Sequence, residues 1–259
     1  MDNQAFDSKR IAEGYAKRPW LHKEVMEQIK KDCNIEHLRN GLDVGCGAGL
    51  STKALRLLCD YVTGTDISPQ MIAVCESTYE DPAYTFYVSK AEENKMPPQP
   101  YDIITAAGVV NWVDRDLFLD NSKKILADNG LIVVYDFWIT DKMDNVSEYT
   151  EWYQDKYLKM FPKPYRKEDV WKQSDLSDVF ALEKTVYYDM KYDFTLDEFI
   201  DFMMIQSNVN EKVESGKYSV EEVREWMVKT LRPIFNGQKR TLIFTGYNWY
   251  IRKRGDKSC

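Results

Sequence analysis

The sequence predicts an α/β fold. Three observations predict it: strand-like and helix-like segments alternate up to Phe137, an apolar strand enters a glycine-rich turn at Leu42 to Thr52, and the composition is that of a globular core. At 259 residues and 44% hydrophobic content the chain is long enough for one large core, or one core carrying an inserted cap.

The elements follow in order. Ile11 to Lys17 and Trp20 to Lys31 form two helical segments punctuated by Arg18-Pro19, and Trp20, Leu21, Val25, Met26 and Ile29 make an apolar stripe on the second. Asn40-Gly41 is the expected turn into the first strand. Tyr61 to Ile67 is strand-like; Ser68-Pro69 then caps and starts a helix, because Ser accepts from the first-turn amides and Pro fits the first helical position. Tyr84 to Ser89 and Tyr101 to Val113 carry the next two strands, the latter with its following turn. Ile125 to Phe137 reads as a helix end, a turn and a fifth strand. Val146 to Phe161 and Asp169 to Phe180 are aromatic-rich helical or irregular segments, and Ala181 to Phe194 is a strand. Thr195 with Glu198 and Ser219 with Glu222 have the spacing of capping boxes, opening one helix through about Gln206 and another that ends before Pro233. Thr241 to Arg252 is the last strand, and the basic run through Lys257 is a solvated tail.

Charge and cysteine usage remove several classes. A net charge of −7 disfavours non-specific attraction to nucleic acid. Five scattered cysteines without a C-x-x-C pair, with only His22 and His37 to join them, point to a reduced, cytoplasmic setting and to no metal centre. The first ten residues lack the apolar core of a signal peptide, and no apolar run reaches the ~18 residues of a membrane span.

The chemistry concentrates in Leu42 to Thr52, L-D-V-G-C-G-A-G-L-S-T. A strand running through such a turn into a helix brings backbone N–H groups and a helix N-terminus close to a nucleotide-like ligand. The spacing is G-x-G-x-G over Gly45, Gly47 and Gly49, not the G-x-G-x-x-G of dinucleotide folds. A nicotinamide reductase of the short-chain type would also want Tyr-x-x-x-Lys on a helix. Tyr187 and Lys191 have that spacing but sit in a strand-like segment, so the match is coincidental.

With Asp43 ahead of the glycines, this run resembles the first motif of class I S-adenosylmethionine-dependent methyltransferases. Asp66 at the end of the second strand, Ser68-Pro69 with Met71 in the next first turn, Ala91-Glu92, Tyr101 to Val113 and Ile125 to Phe137 resemble the later motifs in order, over roughly half the chain. The resemblance implies a Rossmann-like seven-stranded sheet flanked by helices, with the last strand antiparallel beside the fifth. It implies S-adenosyl-L-methionine as cofactor and S-adenosyl-L-homocysteine as product. Asp43, Gly45, Cys46, Gly47 and Gly49 would serve the cofactor, as would Asp66 on its ribose, Ile67, Met71, Ala91, Glu92, Ala107 and Asn111. The opening Phe6 to Trp20 is similar to a small-molecule subgroup that includes trans-aconitate methyltransferase, in which a Tyr and an Arg before a Pro fold over the cofactor. Tyr15 and Arg18 stand there in this chain. Arg18 suits a carboxylate, of the cofactor or of the substrate, because its planar fork pairs bidentately with one.

The cap is then expected from the N-terminal helices, about residues 1–39, and from about 139–180 and 194–236. Trp112 and Trp138 are the substrate candidates, since each follows a strand on the active face. Most other aromatic and methionine residues of the second half have core spacing. No general base is identifiable; His22 and His37 read as surface or helix-end histidines. A sulfonium methyl needs no activation, and a base is required only where the acceptor is protonated at neutral pH. The expected activity is methylation of a small molecule, at a carboxylate oxygen, with C- or N-methylation of a lipid-like or aromatic acceptor and a non-catalytic cofactor-binding sensor as alternatives. Neither nucleic acid nor a membrane is an expected partner, and oligomeric state is left open.

Overall fold

The computed structural model describes residues 9–93, 95–97, 99–163 and 170–254. Helices α1 (Lys9–Ala16) and α2 (His22–Asp32) precede β1 (Leu38–Val44), α3 (Leu50–Leu55), β2 (Cys59–Asp66), α4 (Pro69–Thr78) and β3 (Tyr84–Val88). Then come β4 (Tyr101–Ala107), α5 (Arg115–Ile125), β5 (Leu126–Met143), β6 (Phe180–Phe194), α8 (Leu196–Met204), α9 (Ser207–Glu214), α10 (Val220–Phe235) and β7 (Arg240–Lys253). Between β5 and β6 lie two short helices, α6 (Glu148–Glu151) and α7 (Leu158–Met160), joined by a π-helical stretch over Trp152–Tyr157.

All seven strands form one sheet in the order β3-β2-β1-β4-β5-β7-β6. The first five run parallel, and β7 enters antiparallel between β5 and β6. The strand order reverses between β1 and β4, which opens a crevice at their carboxyl ends. This is the seven-stranded Rossmann-like arrangement that the motif order implies.

Burial follows from the pattern of each strand. The central residues of β5, Leu131 to Tyr135, are all buried because helices cover both faces. On one face Val25, Met26 and Ile29 of α2 join Phe199, Met203, Met227, Leu231 and Phe235 in the larger core. On the other, Phe118 and Leu119 of α5 pack with Trp171, Ile132, Val134 and Trp249. Trp152, Tyr153, Tyr157, Trp171, Phe199 and Met203 are buried, as core spacing predicts.

The helix starts follow local chemistry closely. Ser68 accepts from the Met71 amide at 3.3 Å with Pro69 at the first helical position. Thr195 and Glu198 form a reciprocal box, as do Ser219 and Glu222. Four other expectations are corrected. Asn40-Gly41 is no turn; both lie inside β1, and a Cβ on Gly41 would stand 2.8 Å from Cys59 Sγ and from Leu55 Cδ2. The glycine is there for close strand–helix packing. The last long helix does not end before Pro233 but runs to Phe235, because buried Met227, Leu231 and Phe235 extend its apolar stripe and outweigh one missing N–H. Asn236, left-handed at φ 48°, then closes it. β5 continues past Phe137 to Met143, paired with β7, so Trp138 and residues 139–143 belong to the sheet. Finally, the helix expected through Gln206 ends at Met204, and α9 follows as a separate helix without a side-chain cap. The amino-terminal ten residues read as lacking a signal, the segment around Asp169, the end of the basic tail and Cys259 fall wholly or partly outside the described residues. Among the described residues, no helix is long and apolar enough to cross a membrane.

The packing role of Gly41 has a direct test. Gly41→Ala should lower unfolding stability by about 1–3 kcal/mol through overpacking against Leu55 and Cys59, measured by urea titration. A variant as stable as the parent would show that the strand and helix have room to part.

Candidate active site

A cavity of about 1260 Å³ opens beyond the carboxyl ends of β1, β2, β4 and β5. Its floor is the glycine turn. Gly45, Gly47 and Gly49 all have positive φ, at 67°, 51° and 87°. Their surroundings differ. A Cβ on Gly45 would strike Val109 and one on Gly49 would strike Tyr79, whereas a Cβ on Gly47 would meet nothing within 4 Å. Gly47 is therefore the position where bare backbone faces open space, and a ligand can approach the main chain there.

Two acids hold this turn. Asp43, fully buried, accepts from Ser51 Oγ at 2.6 Å, Thr52 Oγ1 at 2.7 Å and Thr105 Oγ1 at 2.9 Å. Burial pushes its pKa up to about 6, against the pull of these three hydroxyls. Asp66 Oδ2 accepts from the Gly47 amide and Oδ1 from the Ser68 amide, each at 2.9 Å. Below them the thiols of Cys46 and Cys75 both donate to the Gly47 carbonyl, at 3.6 Å and 3.2 Å.

The structure brings most of the expected cofactor residues to the cavity. Tyr15, Arg18, Gly45, Cys46, Gly47, Asp66, Ile67 and Met71 line the cavity, and so do Ala91, Glu92, Ala107 and Asn111. Asp43 and Gly49 do not; they lie behind the turn, one anchoring it and the other opening α3 with a left-handed backbone. A cradle of positive-φ glycine, an acid at the end of β2 and a second acid beyond β3 fits a ribonucleoside whose hydroxyls and base are read by carboxylates and main chain.

Hydrogen-bond donors also line the cavity. The Arg18 guanidinium stacks on the Tyr15 ring at 3.6 Å and donates through Nη2 to the Ile205 carbonyl at 3.3 Å, while its Nε is buried without a partner. Four residues on, His22 also lines the cavity, with Nδ1 2.9 Å from the hydroxyl of fully buried Tyr135. Burial, and then the Arg18 charge, push the His22 pKa down to about 3. His22 is a helix-end histidine as expected, since it opens α2, but it faces the cavity rather than open solvent, whereas His37 is exposed and pairs with Asp60 at 2.8 Å. The buried Tyr153 hydroxyl lacks a partner, and Tyr157 bonds Asn208 at 3.1 Å; all three residues line the cavity. None of these was singled out from sequence for the site. No helical spacing could have pointed to His22, because α1 ends at Ala16 and α2 begins at His22, so Arg18 does not share a helix with it.

An aromatic lip completes the cavity. Trp112, Trp138 and Tyr187 are 41%, 44% and 68% exposed, unusual values for such side chains, and all three face the cavity. Tyr247 and Trp249 stack beside them at 4.6 Å. Among the described residues, no group of three or more His, Cys, Asp or Glu is placed to hold a metal.

Comparison with known proteins agrees with this geometry. A methyltransferase domain family matches residues 42–134, from the strand before the glycine turn to the middle of β5. A protein of Dictyostelium discoideum described as a methyltransferase is 23% identical over 234 residues, 88% of each chain. Trans-aconitate 2-methyltransferase of Rhizobium etli is 27% identical over 103 residues, 39% of each chain. A solved structure from Anaeromyxobacter dehalogenans, described as a type II methyltransferase, shares the fold with a TM-score of 0.67 and 18% identity, over 90% of this chain and 95% of that one.

The depressed His22 pKa couples to stability. The unfolded chain takes up this proton near the ordinary pKa of 6.5 and the folded chain only near 3, so the contribution is full above pH 6.5 and is lost as pH falls toward 3. Relative to His22→Gln, the parent should lose up to about 1.4 kcal/mol of unfolding free energy per pH unit across that window. Asp43 acts in the opposite sense but is common to both proteins. Parallel curves for parent and variant would show that His22 is solvated.

Proposed function

Because the chain is an S-adenosylmethionine-dependent methyltransferase, we propose that its acceptor is a small molecule presenting a carboxylate oxygen. The observation that carries this reading is Arg18, which lines the cavity beside His22 and has no carboxylate partner among the described residues. A bound carboxylate would supply the acceptor that its guanidinium otherwise finds only in the Ile205 carbonyl.

The titration of the cavity residues supports it. His22 is pushed down to about 3 and the Tyr153 hydroxyl up to about 12, both by burial, so neither takes a proton readily near neutrality. A carboxylate acceptor needs no base, because it is already ionised.

In this reading Gly47 and its neighbours in the turn receive the cofactor, Asp66 takes the ribose hydroxyls and Glu92 flanks the base. Tyr15 and Arg18 close over the methionine end. When bound, S-adenosylmethionine would supply the methyl group of its sulfonium to the carboxylate oxygen, the O–C bond forming as the C–S bond breaks with its electron pair to sulfur, so the chain's residues would have no proton to move. The residues contribute position: holding oxygen and methyl in line supplies roughly 7–11 kcal/mol of the barrier. The N-terminal helices, the stretch through Trp152 to Tyr157, and α8 with α9 roof the site and shed water from it. The aromatic lip then takes the apolar body of the acceptor. A second reading draws on the same lip: Asp136 lies beside Trp138 and Tyr247 on the cavity wall and suits a cationic amine.

Radiolabelled S-adenosylmethionine offered with small acids, amines and phenols separates the readings. Label should enter a product that releases volatile methanol on mild base, as a methyl ester does, and Arg18→Lys should lower turnover at least tenfold because an ammonium lacks the bidentate fork. A base-stable product from a fully active Arg18→Lys enzyme would move the acceptor to nitrogen or carbon.

A further inference from the structure

We propose that Tyr135 fixes His22 as a one-way hydrogen-bond donor, with its Nε2–H turned to the acceptor's carboxylate. The carboxylate half rests on the proposed function above; the state of the imidazole does not. His22 and Tyr135 come from α2 and β5, 113 positions apart, and meet at 2.9 Å beside the cavity.

The direction of that bond follows from elimination. Tyr135 is 0% exposed, so its hydroxyl hydrogen has no water to bond. Its single partner among the described residues is His22 Nδ1. Were Nδ1 protonated, it would donate to the phenol oxygen and leave the buried O–H without an acceptor. The O–H therefore donates, Nδ1 accepts, and a neutral imidazole must carry its hydrogen on Nε2. The phenol cannot reverse the bond by ionising, because burial and then the nearby Asp43 charge raise its pKa well above the ordinary tyrosine value.

The far nitrogen then has a use. Nε2 makes no hydrogen bond among the described residues and is not among the buried unpartnered side-chain atoms, and His22 lines the cavity. The ring is wedged edge-on against Phe137 at 4.9 Å as well as against Tyr135, so its plane is set from two sides. A rigid, neutral N–H beside the Arg18 fork gives a carboxylate one donor that carries charge and one that does not. With one oxygen held by such donors, the other is left to accept the methyl. His22 and Tyr135 are thus positioning residues for the acceptor: Tyr135 acts only through His22, and neither exchanges a proton with it.

Nitrogen-15 NMR reads the imidazole directly, and the chain has only 2 histidines, so His22→Phe assigns the signals. At pH 7 the parent should show His22 protonated on Nε2 and bare on Nδ1. Tyr135→Phe should lose that single state, giving the other tautomer or a mixture. A His22 protonated on Nδ1, or a Tyr135→Phe spectrum identical to the parent's, overturns the assignment. The contact is tested with S-adenosylhomocysteine present and benzoate, trans-aconitate and laurate as probes: at least one should shift the His22 Nε2–H signal downfield, and Tyr135→Phe should weaken binding of that acid about tenfold. A signal unmoved by all three overturns the contact, even where a methyl-ester product upholds the carboxylate reading. A base-stable product overturns that reading and leaves the tautomer standing.

Discussion

The buried carboxylate of Asp43 organises this molecule. Three elements each lend it a hydroxyl or carry it: β1 holds the acid, the first turn of the following α3 supplies Ser51 and Thr52, and the distant β4 supplies Thr105. Taking a carboxylate out of water is expensive, and the rise of its pKa to about 6 reports that cost. Three short hydroxyl bonds offset it while leaving the charge in place at neutral pH. In return the strand, the helix and the neighbouring strand are locked where the glycine turn passes between them. Asp66 then ties that turn to β2 through the Gly47 amide. The open face of Gly47 is a consequence of these anchors rather than of glycine alone.

From this rigid floor the site is asymmetric. The turn side is rich in fixed acceptors and main chain, suited to hydroxyls and a base. The roof side is rich in donors that the fold leaves unsatisfied, Arg18 Nε and Tyr153 among them. In the proposed function a nucleoside cofactor and an anionic acceptor would divide between the two, with the exposed aromatic lip left for the acceptor's apolar bulk. The same division explains the low demand for proton transfer. Where the wall has titratable groups, burial has moved His22 and Tyr153 away from neutrality in opposite directions.

Local chemistry was legible in the sequence and distant pairing was not. Ser68, Thr195 and Ser219 cap helices through contacts three residues away, so their signatures are complete within a short window. The alternation of elements and the glycine spacing carried the sheet order and the position of the turn. Asn40-Gly41 misled because a turn-forming pair is also what a strand needs where a helix packs against bare backbone. Pro233 misled because the breaking tendency of proline was weighed without the buried Phe235 beyond it. α9 begins at Ser207, where the preceding Gln206 offers no side-chain cap, and so had no start signal. His22 was missed for a third reason: its environment is made by Tyr135 and Phe137, residues that only the closed sheet brings near.

The Asp43 charge, and not merely a polar group of its shape, holds the glycine turn in place. Calorimetric titration of Asp43→Asn with S-adenosylhomocysteine tests it most directly, alongside far-UV circular dichroism as a check on the fold. The amide keeps the volume but turns an N–H₂ toward hydroxyls that need an acceptor, at a cost of about 1.5–3 kcal/mol. The account predicts an unchanged spectrum with affinity reduced at least tenfold. Parent affinity in a folded Asp43→Asn protein would contradict it.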